Sequence, residues 1–281
     1  MPVFNNALAG AAGSGGAPID EGYLVEKSVR FNGGDTSNIQ HDYGDGGGNR
    51  DKCTFSFWAK FWANDYAILS AGPNNSYFFE VKYSSAGKIE VFGDNLDSTA
   101  TVSRFIDNNA WYHICVAIDK GHSQSSERLI IYVNGIRQAL STATQSSTSG
   151  IYWGTGSAQH RIGGRSWASS DQGNYYLAEF HFCENVVPAT ATDDAAGSVT
   201  GFPNATYITD FVEFDANRVV QPKEYTGSYG SKGVYLKFDD ASNLGKDSSG
   251  NNRNWTASNM SADTGAAIPV ASAGGALAIP N

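Results

Sequence analysis

The sequence is poor in basic residues and in cysteine, and each scarcity argues against a class of protein. Nineteen Lys and Arg residues against 28 Asp and Glu residues give a net charge of -9. Such a balance argues against a nucleic-acid-binding protein, which presents a basic face to phosphates. The three cysteines stand singly at Cys53, Cys115 and Cys183. We therefore expect neither a zinc site nor a disulfide framework, but buried thiols in a reducing cytosol.

Long apolar runs are also missing. No stretch approaches the roughly 18 residues of a membrane-spanning helix, and the amino terminus lacks the basic start and apolar run of an export signal. The sequence therefore predicts no membrane span and no export by the usual route. Apolar side chains are nevertheless plentiful, because 41% of the residues are hydrophobic and 12% are aromatic. That content is typical of a folded protein with a buried core.

The two ends differ in composition from the rest of the chain. Residues 1–20 and 261–281 are rich in Ala, Gly, Pro and Ser and have few large apolar side chains, so we predict that they form extended arms. Residues 21–260 are predicted to form the folded body. Within it, residues 190–225 are less periodic and are expected to be a less regular segment that caps one end.

The body shows a period of two, which is typical of β-strands. Within KCTFSFWAKFW, one face is expected to carry Cys53, Phe55, Phe57, Ala59 and Phe61. The alternate residues, among them Trp58, Lys60 and Trp62, are expected on the opposite face. The same alternation recurs in residues 77–83, 88–92, 111–119, 128–133, 174–182 and 233–239.

Turn residues separate these runs. Asn134-Gly135 between two apolar segments predicts a tight hairpin, because both turn positions must tolerate positive φ. Many short strands at roughly ten-residue spacing, without a helical stripe, indicate an all-β jelly-roll sandwich of two antiparallel sheets.

Four segments resemble the laminin-G-like branch of the concanavalin A-like lectin/glucanase superfamily. They are WYHICVAID, RLIIYVNGIRQ, HRIGG and YYLAEFHFCENVVP, and the resemblance covers about residues 28–188. It implies a concanavalin A-like sandwich. In ordinary members of that branch a Y-x-F-D…DSSGN-x-N segment opens the domain, whereas here residues 235–255 come near the end. We expect this segment to close the sandwich from the carboxyl-terminal side.

A second resemblance concerns the opening MPVFNNALAG, the strand LVEKSVRFN, and PKEYTGSYGSKGVYLKFDD with the following LGKDSSGNNRNW. Together they are similar to a family of bacteriophage virion proteins built on that sandwich. The resemblance implies a non-enzymatic virion structural protein, made in the host cytoplasm, that serves as a head fibre, capsid decoration or tail-fibre component. Its partners would be other virion proteins, contacted through the amino-terminal arm. A homo-oligomer is expected, with a trimer favoured, because one gene must tile a symmetric particle.

Two groups of acids approach the glucanase pattern E-x-D-x-x-E, in which two carboxylates lie roughly 5 Å apart on one strand. Glu179, His181 and Glu184 keep the spacing but place His where the pattern needs Asp, while Glu213 and Asp215 lack a third acid. We therefore predict no enzymatic activity. The alternatives are a polysaccharide-degrading glycoside hydrolase of the glucanase type and a calcium-dependent adhesion module.

Calcium could be held by a set of hard oxygen ligands in a Gly-containing loop. The candidate ligands are Asp239, Asp240, Asp247, Ser249 and Asn251. The alternative is an ordinary tight turn, because these residue types also satisfy turn backbones. A second acidic, Gly-rich loop, residues 41–51, is a candidate for a ligand loop or a lattice-contact loop.

Host polysaccharide is the candidate ligand, because sugars offer both C–H faces and hydroxyls to aromatic and polar side chains. The candidate glycan-binding residues, all expected in loops, are Tyr152, Trp153, Arg165, Trp167 and Asp171. The loop residues Asn74, Asn75 and Tyr77 are additional candidates. The alternative is that Trp153 and Trp167 pack onto the edge of the core or against a neighbouring subunit.

Overall fold

The computed structural model describes residues 23–260, except residues 26, 45, 46, 63, 64, 157, 169 and 170. The predicted arms, residues 1–20 and 261–281, lie outside the described residues. Within the described ranges the helices are two single 3-10 turns, Gly33–Asp35 and Ser125–Glu127. No helix in this part of the chain is long and apolar enough to cross a membrane.

The strands are short and follow one another closely along the chain. They are β1 (Val29–Phe31), β2 (Asn38–Asp42), β3 (Lys52–Phe61), β4 (Tyr66–Ala71), β5 (Phe79–Tyr83), β6 (Ile89–Gly93), β7 (Thr99–Ala100), β8 (Tyr112–Asp119), β9 (Leu129–Val133), β10 (Ile136–Arg137), β11 (Gln159–Ile162), β12 (Tyr175–Glu184), β13 (Thr190–Thr192), β14 (Thr206–Ile208), β15 (Val212–Phe214), β16 (Val220–Pro222), β17 (Val234–Leu236) and β18 (Thr256–Ser258).

Two antiparallel sheets form the body. Sheet A has the order β1-β12-β3-β8-β9-β10-β14-β13, and β17 also pairs with β12. Sheet B has the order β18-β2-β11-β4-β5-β6-β7, and β15 and β16 form a separate pair. The predicted all-β, concanavalin A-like jelly-roll sandwich is confirmed.

The main core lies between the two sheets. The five residues predicted for one face of β3, from Cys53 to Phe61, all belong to it. Phe55 shows how the sheets meet, because its ring lies 5.3 Å from Phe79 in sheet B and 5.2 Å from Phe182 in sheet A. Stacked and edge-on rings of this kind add to the free energy gained by burying their area.

A second apolar cluster lies on the outer face of sheet A. Trp58, Cys115 and Ala178 project from this face and pack with Ile208 and Phe211. The last two residues belong to the less regular segment 190–225. That segment therefore covers the outer face of sheet A rather than one end of the sandwich, because Trp58 and its neighbours present an apolar surface that must be buried.

The carboxyl-terminal part closes both sheets, as predicted. β17 pairs with β12 through Phe180 and Leu236, and β18 pairs with β2 through Ile39 and Ala257. The predicted hairpin is also present, because β9 and β10 are joined by Asn134 and Gly135 with φ of 50° and 77°. The three cysteines are free and buried, as expected from their apolar surroundings.

Candidate functional site

Three aromatic rings line the outer face of sheet B. Phe79 and Val91 belong to the core, so the preceding Phe78 and the following Phe92 point outward, because side chains alternate along a strand. The ring of Phe78 lies 5.7 Å from that of Phe92 and 4.7 Å from that of Trp167. All three rings are half-buried. Phe78 thus holds Trp167 at the surface of the sheet.

The loop after β11 carries Trp167 and is fastened to β4. The Ser70 hydroxyl donates to Gly164 O (2.9 Å) and accepts a hydrogen bond from Ser166 N (2.8 Å). The Ser166 hydroxyl in turn donates to Gly72 O (3.0 Å). These bonds hold the loop backbone over the outer face of the sheet, so that the next side chains project from a fixed position.

Arg165 lies at the centre of an ion-pair network on this face. Its Nε donates to Glu80 Oε2 (2.8 Å), and its Nη1 pairs with Asp171 Oδ2. The guanidinium carbon lies 5.9 Å from the centre of the Trp167 ring. Two carboxylates therefore fix the guanidinium beside the indole ring.

Glu80 is completely buried, with 0% exposure. Burial raises the pKa of its carboxyl group, and the hydrogen bond from Arg165 opposes that effect. Burying a charged group is unfavourable unless the group is paired and hydrogen-bonded. Arg165 supplies that pairing, and its side chain remains 26% exposed, so the same residue neutralises Glu80 and stays accessible at the surface.

We call Phe78, Phe92, Arg165, Trp167 and Asp171 the Trp167 surface. It combines apolar ring faces with a charged donor and a carboxylate acceptor, as expected of a surface that binds a sugar. The structure thus brings together three of the predicted glycan-binding residues, Arg165, Trp167 and Asp171.

Tyr152 lies close to this surface, and an arginine guanidinium packs on its ring. The guanidinium of Arg50 lies 5.0 Å from the centre of the Tyr152 ring, held by a hydrogen bond from its Nε to Ile151 O (2.6 Å). The exposed ring of Tyr77 lies 5.9 Å from Tyr152. Since Tyr77 precedes Phe78, this dipeptide connects Tyr152 to the Trp167 surface.

Trp153 does not belong to this surface, and the expectation that its ring is exposed in a loop is wrong. It is 1% exposed, and its ring lies 4.9 Å from Phe55 and 5.9 Å from Trp255. The two sheets enclose an apolar space at this point, and the indole fills it. Trp153 is thus a core residue.

Asn74 and Asn75 are exposed in the loop between β4 and β5. The Asn74 side chain accepts hydrogen bonds from Ser76 N (2.9 Å) and Tyr77 N (3.1 Å). Asn74 therefore shapes the loop that presents Tyr77.

Among the candidate calcium ligands, Asp247 organises a turn. Its Oδ1 accepts from Tyr235 N (3.0 Å) and Ser249 N (2.8 Å). Its Oδ2 accepts from the Ser249 hydroxyl (2.9 Å) and Arg253 N (2.9 Å). Four protein donors thus occupy the oxygens that a calcium ion would require.

The other candidate ligands have separate partners. Asp240 accepts from the Ser242 hydroxyl (2.6 Å) and pairs with Lys246 (3.2 Å). The Asn251 amide donates to backbone carbonyls (2.8 and 2.9 Å), and Asp239 is exposed. Within the described residues, no group of three or more His, Cys, Asp or Glu side chains could hold a metal ion. The acidic loop of residues 41–51 is described only in part, and calcium binding stays a prediction.

The two acids that resemble the glucanase pattern are each engaged in different parts of the fold. Glu179 Oε2 accepts from Tyr23 OH (2.7 Å) and Tyr235 OH (2.5 Å) and lies 3.6 Å from His181 Nε2. Glu184 instead accepts from Asn49, Ser231 and Lys232, with bonds of 2.6 to 2.9 Å. The structure does not present these two carboxylates as a pair at an open cleft. In the second group, Glu213 is exposed on β15, and Asp215 accepts turn hydrogen bonds from Asn217 N (2.8 Å) and Val219 N (2.8 Å).

Phe78, Glu80 and Phe92 were missed by sequence reasoning. The strands that contain or border them were recognised, and strict alternation would have placed all three on the outer face of the sheet. No sequence signal indicated that this face also carries the loop with Arg165 and Trp167, because that contact joins residues far apart in the chain.

The fold has known relatives. A laminin G-type family model, described as the concanavalin A-like lectin/glucanases superfamily, matches residues 32–189. The chain belongs to this superfamily, and its body is a lectin-like concanavalin A-like sandwich. No curated protein sequence matches the chain.

Solved structures with a similar fold are distant in sequence. A heptameric SAP-like pentraxin from Limulus polyphemus has 13% identity and a TM-score of 0.42, over 59% of this chain and 79% of the pentraxin. Domains LG4-5 of the mouse laminin alpha1 chain have 11% identity and a TM-score of 0.43, over 66% of this chain and 53% of the laminin chain. The CBM40 of the Ruminococcus gnavus IT-sialidase, bound to alpha2,3 sialyllactose, has 14% identity and a TM-score of 0.38, over 56% and 88% of the two chains.

Proposed function

We propose that this protein is a non-enzymatic structural component of a bacteriophage virion that contacts host-surface glycans through the Trp167 surface. The observation that carries the glycan-binding part is the arrangement of Trp167 and Arg165. The Trp167 ring packs on Phe78 at 4.7 Å, while Glu80 and Asp171 hold the Arg165 guanidinium 5.9 Å from the indole.

This arrangement suits a sugar for two reasons. The ring face of Trp167 offers an apolar surface for the C–H face of a pyranose, and Arg165 and Asp171 offer a donor and an acceptor for its hydroxyls. The network also holds these side chains in place before a ligand arrives, so that binding loses less conformational entropy.

The virion role rests on the sequence. The opening MPVFNNALAG and the YTGSYG segment resemble those of phage virion proteins. In this proposal the amino-terminal arm attaches the protein to the capsid or tail, and the chain assembles as a homo-oligomer, with a trimer favoured. Catalysis forms no part of the proposal, because the carboxylates of Glu179 and Glu184 already accept hydrogen bonds from protein groups on different segments.

Glycan binding is tested on an array of host and synthetic polysaccharides. We expect the wild-type protein to bind at least one glycan and Trp167→Ala to weaken that binding by about tenfold, a loss of about 1.4 kcal/mol. Phe202→Ala is the matched control, because Phe202 is an exposed aromatic (59%) outside this surface. Equal binding by the wild type and Trp167→Ala would refute the assignment. Release of sugar products by the wild type would contradict a non-enzymatic role.

The virion role is tested on intact particles. Electron cryomicroscopy of phage carrying a labelled copy of this chain should locate it on the capsid or tail. Its absence from purified particles would refute the virion role while leaving glycan binding open.

A further inference from the structure

A second aromatic surface lies on the opposite sheet. Trp62 directly follows β3 and is 50% exposed, and it is the one tryptophan among the six that is exposed in the described chain. Its ring lies 5.2 Å from that of Tyr176 on β12, which in turn lies 6.3 Å from the ring of Trp111. Tyr176 and Trp111 belong to or pack on the apolar cluster of sheet A. Trp62 therefore rests on a supported aromatic base rather than projecting alone.

Two cations flank this aromatic pair. Tyr176 is directly opposite Arg30 on β1 and Lys60 on β3, so the three residues form one row across three strands. Side chains opposite each other in an antiparallel pair lie about 5 Å apart at Cβ and interact. The Arg30 guanidinium carbon also lies 5.6 Å from the centre of the Trp62 ring. We call Arg30, Lys60, Trp62 and Tyr176 the Trp62 surface.

The charge of this surface is opposite to that of the molecule as a whole. The chain carries a net charge of -9, yet two basic residues flank Tyr176. In the described part of the chain no carboxylate forms a salt bridge with Lys60. An anionic ligand would therefore meet a local positive charge beside an exposed ring.

The position of these residues in sheet A indicates a ligand-binding surface rather than a part of the core. Val29, Phe31, Tyr175 and Leu177 face the core, so Arg30 and Tyr176 between them face outward from sheet A. The segment 190–225 buries the apolar cluster around Trp58 but leaves half of Trp62 exposed to solvent. Half of Trp62 thus stays accessible to a ligand beside the Tyr176 ring.

We propose that the Trp62 surface is a second glycan-binding site, specific for polysaccharides that carry carboxylates. The Trp62 and Tyr176 rings contact the apolar face of an acidic sugar, and Lys60 pairs with its carboxylate, while the Arg30 guanidinium packs beside the Trp62 ring. This inference rests on the proposed glycan-binding function but not on the Trp167 surface, which lies on the outer face of the other sheet. One molecule could then contact two different glycan segments from opposite faces.

The test uses the full chain and three acidic polysaccharides, polygalacturonate, alginate and polysialic acid, with dextran as the neutral probe. We expect the wild type to bind at least one acidic probe, with an affinity that falls as salt rises. Trp62→Ala should weaken this binding at least tenfold. Lys60→Gln should weaken it several-fold and reduce the salt dependence. Phe202→Ala and Lys223→Gln, which replace exposed residues elsewhere, should leave it unchanged.

Several results would overturn the inference. They are wild-type binding to none of the acidic probes, equal binding by wild type and Trp62→Ala, and loss of acidic binding in Trp167→Ala but not in Trp62→Ala. Light scattering tests whether the Trp62 surface instead binds a second copy of the chain. If the wild type is an oligomer that binds no acidic probe, and Trp62→Ala dissociates that oligomer, the surface is a contact between copies. Circular dichroism of each variant separates loss of binding from loss of fold. Acidic binding that depends on Trp62 would support this site even if the Trp167 surface binds no glycan.

Discussion

Replacing Trp153 with alanine should destabilise the protein more than replacing Trp167 on the proposed glycan surface. The Trp153 ring is 1% exposed and contacts Phe55, His160 and Trp255 at centroid distances of 4.9 to 5.9 Å. Truncating a buried aromatic residue to alanine costs about 3–5 kcal/mol through lost transfer energy and the remaining cavity. This is a large fraction of the roughly 5–15 kcal/mol that stabilises a typical domain.

Trp153→Phe separates packing from hydrogen bonding. The Trp153 Nε1 atom is buried and has no hydrogen-bond partner in the described structure, so phenylalanine loses volume but no hydrogen bond. We therefore expect Trp153→Phe to be less destabilised than Trp153→Ala. In contrast, the half-buried Trp167 packs mainly on Phe78, and Trp167→Ala should cost only about 1 kcal/mol.

Urea unfolding followed by circular dichroism measures these differences, with the slope of the transition checked for each variant. Glycan binding is measured on the same preparations under conditions where all of them are folded. We expect the ranking of the variants by stability to be the opposite of their ranking by glycan affinity, with Trp153→Phe binding normally and Trp167→Ala binding weakly. A Trp153→Ala variant with the stability of the wild type, or a greater loss in Trp167→Ala, would refute the assignment of Trp153 to the core.

Three further perturbations test individual polar groups. Arg165→Met leaves Glu80 buried without its partner and should cost about 3–5 kcal/mol in urea unfolding, a loss that Glu80→Gln in the same chain should partly restore. Burial opposes ionisation of Glu184, but backbone and hydroxyl donors hold the pKa of its carboxyl group below the ordinary value. The ionised carboxylate therefore stabilises the fold at pH values above the ordinary pKa, and this contribution is lost as the pH falls through the folded-state pKa. Glu184→Gln should therefore lower Tm near neutral pH and flatten the decline of Tm below about pH 4.5. Asp247→Asn should lower Tm by the same amount in EDTA and in calcium, because protein donors already occupy the carboxylate. A rise in the wild-type Tm with calcium that is absent in Asp247→Asn would instead identify a calcium site.

Much of the fold could be predicted because local patterns determine it. The alternation in β3 assigned residues to the correct faces, since one slip in register would expose every core side chain. Asn134-Gly135 predicted its hairpin because few other dipeptides adopt positive φ at both positions. The late segment of residues 235–255 was correctly placed as a closing element, because β17 at its start adds to β12, a strand whose sequence had been recognised.

The candidate site was only partly predictable, because it depends on contacts between distant segments. Tyr152 and Trp153 are adjacent in a loop without clear alternation, and their composition did not reveal that one ring is partly buried at the edge of the core and the other lies fully inside it. Similarly, Arg165 and Trp167 were recognised as polar and aromatic loop residues, but their partners Glu80 and Phe78 lie about 85 positions earlier in the chain. Such a pairing follows from the sheet order and not from any local pattern.

The structure interrupts the alternation predicted for residues 174–182 with a bulge in β12. Tyr175 and Leu177 face the core at odd positions, whereas Phe180 and Phe182 face it at even positions. One extra residue must therefore be inserted between the two pairs, and the register does shift between Ala178 and His181. Glu179 occupies this position with φ of 51°, a conformation that costs a non-glycine residue roughly 1–2 kcal/mol.

Hydrogen bonds compensate for the strained backbone of Glu179. Its buried carboxylate accepts from the hydroxyls of Tyr23 and Tyr235 and lies beside His181. On the edge of β12 opposite β3, β1 pairs before the bulge and β17 after it, so Glu179 lies where the amino-terminal and carboxyl-terminal strands of the sandwich meet. On a regular strand, side chains five positions apart lie on opposite faces, so the spacing of Glu179 and Glu184 does not by itself pair them. In the structure the two carboxylates accept hydrogen bonds from different segments and serve separate structural roles.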